Sequence, residues 1–237
     1  MKIDNNIEIV DLCIFLKEQK VLVFGDVHIG YEEALNNKGV LVPRQQYKMT
    51  LERLEKTLDK LDVETVIING DLKHEFGTIL RTEWKDVFNL VDFLLSKCKR
   101  LIIMQGNHDK ILKPIADKKN VEFVKSFVCG SVLITHGDFI PVEASDCKTI
   151  IIGHEHPAIS IAEYPRIEKY KCFLVGKWKT KKLIVMPSYN LLTEGTDVLF
   201  GKFLSPFIEN LDNFNVYVVG DQILDFGKVK EIRKSNG

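Results

Sequence analysis

The sequence predicts an α/β sandwich, and three observations carry that expectation. Short runs rich in β-branched residues alternate with helix-period segments over the first half. The second half reads almost wholly as strands with short connections. The chain has 237 residues, 45% of them hydrophobic and 28% charged, enough apolar material for a sizeable core without disulfides. No repeat, low-complexity tract or linker interrupts it, so one domain over 1–237 is expected.

In chain order, IEIVDLCIFL (7–16) and KVLVFG (20–25) are apolar runs parted by the turn-like KEQ, the start of a β-hairpin. Residues 44–61 follow as a helix with Pro43 at its beginning. Tyr47, Leu51, Leu54, Leu58 and Leu61 recur at steps of four and three, one apolar stripe. TVIING (65–70) is a short buried strand. A second helix is expected over about 82–97, with Thr82 as its cap, Glu83 and Asp86 in its first turn, and Trp84, Val87, Phe88, Val91, Leu94 and Leu95 on its buried face. Further strands are expected at 100–106, 131–137, 148–156, 171–176, 182–187 and 215–221.

Composition excludes several classes. Lys plus Arg and Asp plus Glu each total 33, so the overall basic signature of a phosphate-held nucleic-acid binder is missing, although a local patch stays open. No apolar run approaches the roughly 18–20 residues needed to cross a bilayer, so no membrane partner is expected. Asp4, Glu8 and Asp11 interrupt what a signal peptide would keep apolar. Cys13, Cys98, Cys129, Cys147 and Cys172 are odd in number and form no CxxC pair, which fits reduced thiols in a cytoplasm.

The chemistry stands at the strand ends. VLVF runs into GDVHIG with Asp26 and His28; VIIN into GDLKHE with Asp71 and His74; LIIMQ into GNHD with Asn107, His108 and Asp109; VLIT into HGD with His136; TIII into GHEH with His154 and His156. Loops converge at the carboxyl edge of such strands, so five strand ends deliver Asp, His and Asn toward one region. All six histidines sit in these elements. A lone GDxH or GNHD reads as a turn, but five in order read as a metal site. His74 is the exception, with substrate contact and a structural role equally open.

A mixed oxygen and nitrogen donor set suits Mn²⁺, Fe or Zn²⁺ better than Ca²⁺ or Mg²⁺. Seven donors exceed one tetrahedral ion and fit two divalent ions sharing a bridging carboxylate. Such a pair generates hydroxide and neutralises phosphoryl oxygens during in-line displacement at phosphorus. A phosphoester substrate is the expectation.

D-x-H, GD, GNHD, H and GHxH in this order resemble the calcineurin-like metallophosphoesterase superfamily. DVHIGYEEALNNKGVLVP, INGDLKHEFG, GHEHPA and PSYNLLTEGTDV look like the branch of archaeal SbcD-related and bacterial DNA-ligase-associated phosphoesterases. The resemblance implies a four-layer α/β/β/α sandwich with two mixed β-sheets. It implies a first ion on Asp26, His28 and His156, a second on Asn107, His136 and His154, and Asp71 bridging them, with Mn the first expectation. His108 matches the family's non-ligand catalytic histidine, with Asp109 orienting its ring. SbcD-type nucleases carry a capping domain after the last motif, whereas the roughly eighty residues after His156 read here as strands finishing the sandwich. That weakens a double-strand nuclease and leaves smaller diesters or single strands open.

The leading expectation is therefore a metal-dependent phosphodiesterase. A nuclease is the alternative: residues 166–182 hold seven basic side chains and one acid, with Tyr170, Phe173 and Trp178 interleaved, a pattern that could suit a phosphate backbone and stacked bases, although a solvated hairpin is the more common situation. An inactive interaction scaffold should have lost ligands, and none is replaced here. In the loop 188–198, Gly195 and Thr196 are candidates to present N–H groups to a phosphate. Tyr31 either lines the cleft or packs, and Glu155 is expected to point away from the site. No feature identifies a protein partner.

Overall fold

The computed structural model describes residues 1–237 except 75–80, 110–111, 164, 201 and 236–237, and excludes the side chains of 81–82, 162–163 and 235; the Thr82 cap lies outside these described groups. The first sheet comprises β1 (Ile7–Val10), β2 (Cys13–Leu16), β3 (Val21–Phe24), β4 (Thr65–Asn69), β5 (Arg100–Met104) and β6 (Glu122–Val124), in that spatial order. β1, β2 and β3 pair antiparallel, and β3 to β6 run parallel. The crossovers carry α1 (Tyr31–Asn37), α2 (Gln46–Leu58), α3 (Arg81–Lys97) and α4 (Lys113–Lys119). The expected single strand 7–16 is instead two strands, because Asp11 adopts a left-handed backbone (φ 56°) and turns the chain so that Val10 faces Cys13.

The second sheet is built from β7 (Ser126–Cys129), β8 (Val132–Thr135), β9 (Thr149–Ile152), β10 (Pro157–Glu163), β11 (Arg166–Trp178), β12 (Lys181–Val185) and β13 (Thr196–Asp197), in the order β13-β10-β11-β12-β9-β8-β7. β14 (Asn215–Val219) pairs with β11, and β15 (Ile223–Lys228) with β14, before the closing α5 (Val229–Ser235).

The two sheets face each other, and side-chain alternation sorts their strands between two cores. Ile134, Ile151, Phe173 and Ile184 share one apolar cluster with the first sheet, a cluster that also takes in Leu54, Val87, Leu90 and Leu94 of α2 and α3. Leu133, Ile150, Ile152, Leu174, Leu183 and Val185 point the other way, against Trp178, Phe207, Leu211, Phe214 and Val229. Burial on both faces explains why these strands read as unbroken apolar runs. Each such side chain contributes about 1.5–3 kcal/mol when fully buried. The expected sandwich with two mixed sheets is therefore present, although the outer face of the second sheet is covered mainly by residues of the non-helical stretch 202–214 and by α5. Leu95, expected on the buried face of α3, is 37% exposed, and Leu90 takes its place.

Candidate metal centre

The parallel strands β3, β4 and β5 end on one edge, as do β8 and β9. The loops leaving β3 and β4 stay joined beyond the sheet: Asp26 N–H donates to Gly70 O, His28 N–H to Asp71 O and Ile29 N–H to Leu72 O, each at 2.9 Å. Such tight exits demand unusual backbone geometry. Asp26, His28, Asp71, His154 and His156 all have positive φ, between 45° and 69°. Left-handed non-glycine residues are uncommon and cluster where function holds them. Glycine is required where loops touch, since a Cβ on Gly106 would lie 2.1 Å from Asp71 Oδ1 and one on Gly153 2.5 Å from Asp26 Oδ2.

These loops bring together the expected donors from both sheets. His156 Nε2 lies 3.3 Å from Asp26 Oδ1 and 3.4 Å from His28 Nε2. His136 Nε2 lies 3.0 Å from Asn107 Oδ1 and 3.1 Å from His154 Nδ1. Asp71 Oδ2 stands between the two groups, 3.9 Å from His28 Nε2 and 3.6 Å from His136 Nε2. Among the described residues, Asp26–His28–His156, His28–Asp71–His108 and Asp26–Asp71–His136 each have ligand atoms within 4.8 Å of one another. His136 Nδ1 faces the Asn69 carbonyl at 3.3 Å; a carbonyl only accepts, so Nδ1 carries the hydrogen and Nε2 is left for the cluster.

The electrostatics suit a divalent cation. Burial pushes the Asp71 carboxyl up to about 7, with Asp26 and Asp109 adding repulsion against the pull of His136. Burial also raises Asp26, but His156, His136 and His28 outweigh it and hold the group below the usual carboxylate range. Burial and the neighbouring His156 hold His28 well below its usual value, so it favours the neutral, ligating form. Asp26 Oδ1 and His28 Nδ1 are buried without a hydrogen-bond partner. Buried carboxylates, neutral imidazoles and an orphaned oxygen are what a divalent ion would satisfy.

Several expectations need correction. Asp109 does not orient the His108 ring: its carboxylate accepts from Leu72 N–H (3.1 Å) and Gly106 N–H (3.1 Å), tying the β4 and β5 loops together. Nδ1–H of His108 donates instead to the His74 carbonyl at 2.5 Å. His74 contributes its backbone carbonyl to this bond, and its ring lies 5.5 Å from the His28 ring and 4.8 Å from the Tyr31 ring. The Thr196 N–H is already committed to His156 O (2.8 Å), and Gly195 is where the chain passes so close that a Cβ would meet that oxygen at 2.1 Å. The Thr196 N–H is therefore not free to cradle a phosphate. Trp178 packs on Phe207, and Glu155 points away from the site as expected, accepting from the N–H groups of Leu204 and Ser205. The basic segment does not stay together: Lys182 pairs with Thr149 at the start of β9, so Lys177, Lys179, Lys181 and Lys182 lie at the end opposite the cluster.

A polar support behind Asp26 escaped the sequence reading. Ser188 Oγ donates to Asp26 O (2.7 Å), Asn190 N–H to the same carbonyl (3.1 Å), and Gln46 Nε2 to Val27 O (2.9 Å) and Asn190 Oδ1 (3.1 Å). Only the presence of Ser188 and Asn190 in the singled-out loop hinted at it.

Comparison with known proteins gives the same picture. The fold is similar to that of Pseudomonas putida nuclease MPE, at TM-score 0.66 and 19% identity over 91% of this chain and 92% of that one. Weaker likenesses are to AQ665, a protein of unknown function from Aquifex aeolicus (TM-score 0.38, 19% identity, 57% and 78% covered), and to an Entamoeba histolytica Vps29 double mutant (TM-score 0.37, 15%, 87% and 99% covered). No described helix is long and apolar enough to cross a membrane. The family model for calcineurin-like phosphoesterases matches residues 19–234, which include every strand end that feeds the cluster. With that span matched and the donors gathered on one edge, this chain belongs to the calcineurin-like phosphoesterases, a family of phosphoester hydrolases.

Proposed function

We propose that the chain is a single-domain, dinuclear metal-dependent phosphodiesterase. The observation that carries this reading is the position of Asp71 Oδ2 between two donor groups, each drawn from both sheets. Asp26, His28 and His156 would hold one ion and Asn107, His136 and His154 the other, with Asp71 shared. The oxygen and nitrogen donors favour Mn²⁺, with Fe or Zn²⁺ also suited. Bound there, the cations supply Lewis acidity, lowering the pKa of water and neutralising phosphoryl oxygens.

The protein's own contribution is position and a proton. His108 is held by the His74 carbonyl through Nδ1, so Nε2 faces the cluster, 3.8 Å from Asp71 Oδ2. Burial pushes its pKa down to about 4, and an anionic phosphoryl group beside it draws a proton back onto the ring. That proton leaves with the departing oxygen. The five unpaired cysteines support a reducing, cytoplasmic setting. The nuclease activity named for the Pseudomonas putida protein makes a nucleic-acid diester the second reading.

The test is hydrolysis of a chromogenic phosphodiester and its monoester by metal-stripped protein reloaded with Mn²⁺, beside His108→Ala. Diester turnover should require Mn²⁺, and His108→Ala should keep its metal while losing roughly 10²–10⁴-fold in rate. Metal binding without turnover of either ester would favour a scaffold and overturn the reading.

A further inference from the structure

Both sheets continue past the metal cluster along the same edge. β2 lies antiparallel to β3, so the Asp11–Leu12 turn stands at the edge where β3 delivers Asp26. On the opposite sheet Lys171 pairs with Ala158, just beyond His156. The loop beside the cleft is anchored to the cluster: Asn190 donates its N–H to Asp26 O (3.1 Å) and accepts the Leu192 N–H on Oδ1 (2.9 Å). Between these walls is a cleft of about 370 Å³, lined among others by Arg53, Lys169, Lys171, Leu191, Thr193 and Glu194.

The charges in this cleft are unevenly matched. Arg53 makes a two-point ion pair with Asp11. Lys169 lies 3.9 Å from Glu194. The Lys171 Nζ is buried with no hydrogen-bond partner. An ammonium group taken from water with none of its three donors used is unfavourable unless an anion completes it. Burial, with Arg53 adding repulsion, pushes its pKa down to about 8, against the pull of Asp26 and Glu194.

We propose that this cleft is a subsite for a second phosphate group of the substrate, held through Lys171. The proposal rests on the phosphodiesterase reading above. Lysine acts as a point charge, so the same subsite takes a terminal phosphate or the next internal phosphodiester. The lysines at 177–182 take no part, because they lie at the opposite end of β11 and β12.

The experiment compares kcat/KM for a thymidine dinucleotide with one internal diester against the same dinucleotide carrying an added 5′ or 3′ phosphate. Wild-type protein should prefer one phosphorylated form by about tenfold or more. Lys171→Met should erase that preference, and Lys177→Met, on the exposed end of the same strand, should retain it. An equal preference in wild type and Lys171→Met would overturn the subsite while leaving the diesterase reading intact. If Mn²⁺-loaded wild type cleaves neither the dinucleotides nor the chromogenic diester, the diesterase reading fails. Calorimetry of the phosphorylated dinucleotides in EDTA then decides the subsite: binding at least tenfold weaker in Lys171→Met supports it, and equal affinity removes it.

Discussion

Replacing Lys171 by methionine should make the protein more stable, even though it empties the cleft of its unpaired cation. Burial moves the ammonium from its usual 10.5 to about 8, and that displacement corresponds to about 3 kcal/mol favouring the uncharged form in the folded state. Residual exposure and relaxation reduce this, so a gain of roughly 1–3 kcal/mol at pH 7 is expected, or about 3–10 °C in Tm for a chain of this size. The pH dependence identifies the cause. Between about pH 8 and 10.5 the unfolded chain keeps the Lys171 proton and the folded chain has lost it, so wild-type stability rises with pH across that window. Below pH 8 both states are protonated and the full penalty stands. The difference between variant and wild type should therefore be largest at pH 7 and shrink toward pH 10. Urea unfolding followed by the fluorescence of Trp84 and Trp178 at pH 7, 8.5 and 10 measures it, and other titrating groups cancel in the comparison. A less stable variant at pH 7, or a difference that does not change with pH, would refute the reasoning.

Asp71→Asn should lower bound metal from two ions per chain to fewer than one and reduce diester turnover by at least ~10²-fold, read by elemental analysis beside the rate assay; two retained ions would remove Asp71 from the shared position. Gly106→Ala places a methyl 2.1 Å from Asp71 Oδ1 and 2.4 Å from its backbone nitrogen, so a loss of about 1–3 kcal/mol together with weaker metal binding is expected; an unchanged Tm and metal titration would show that the loops yield freely. Mn²⁺ at a hundred times its Kd should raise stability by about 2.7 kcal/mol, seen as an upward shift in a thermal melt that Asp26→Asn abolishes.

The site was legible to the extent that chemistry follows each strand end. β4, β5, β8 and β9 are buried on both faces, so their apolar runs stop abruptly where Gly70, Gly106, Gly137 and Gly153 stand near the polar residues. What could not be read is where side chains reach across loops. Asp109 neighbours His108 in sequence, yet it bonds the backbone of Leu72, and a main-chain carbonyl takes the role expected of it. The hairpin at Asp11 was hidden because no Gly or Pro punctuates 7–16, and an aspartate in a left-handed conformation makes the turn. β10 and β15 were missed because PAISIAE opens on proline and ILDFGK holds an Asp and a Gly, both poor strand signals. The basic segment could not be resolved from sequence for a geometric reason: a thirteen-residue strand spans the sheet and carries its lysines to both ends.

The two sheets are successive in the chain, the first complete by Val124 and the second beginning at Ser126. This ordering sets a timetable during synthesis. A ribosome that has released the first sheet has exposed Asp26, His28, Asp71 and Asn107, while His136, His154 and His156 are still to be made or lie within the exit tunnel. Until they emerge, the inner face of the first sheet also lacks Ile134, Ile151, Phe173 and Ile184 to cover it. The proposed catalytic centre therefore has no half-built active form. A growing chain passes His156 before the full donor set exists, and it must lay down β11 and β12 before the inner face is closed.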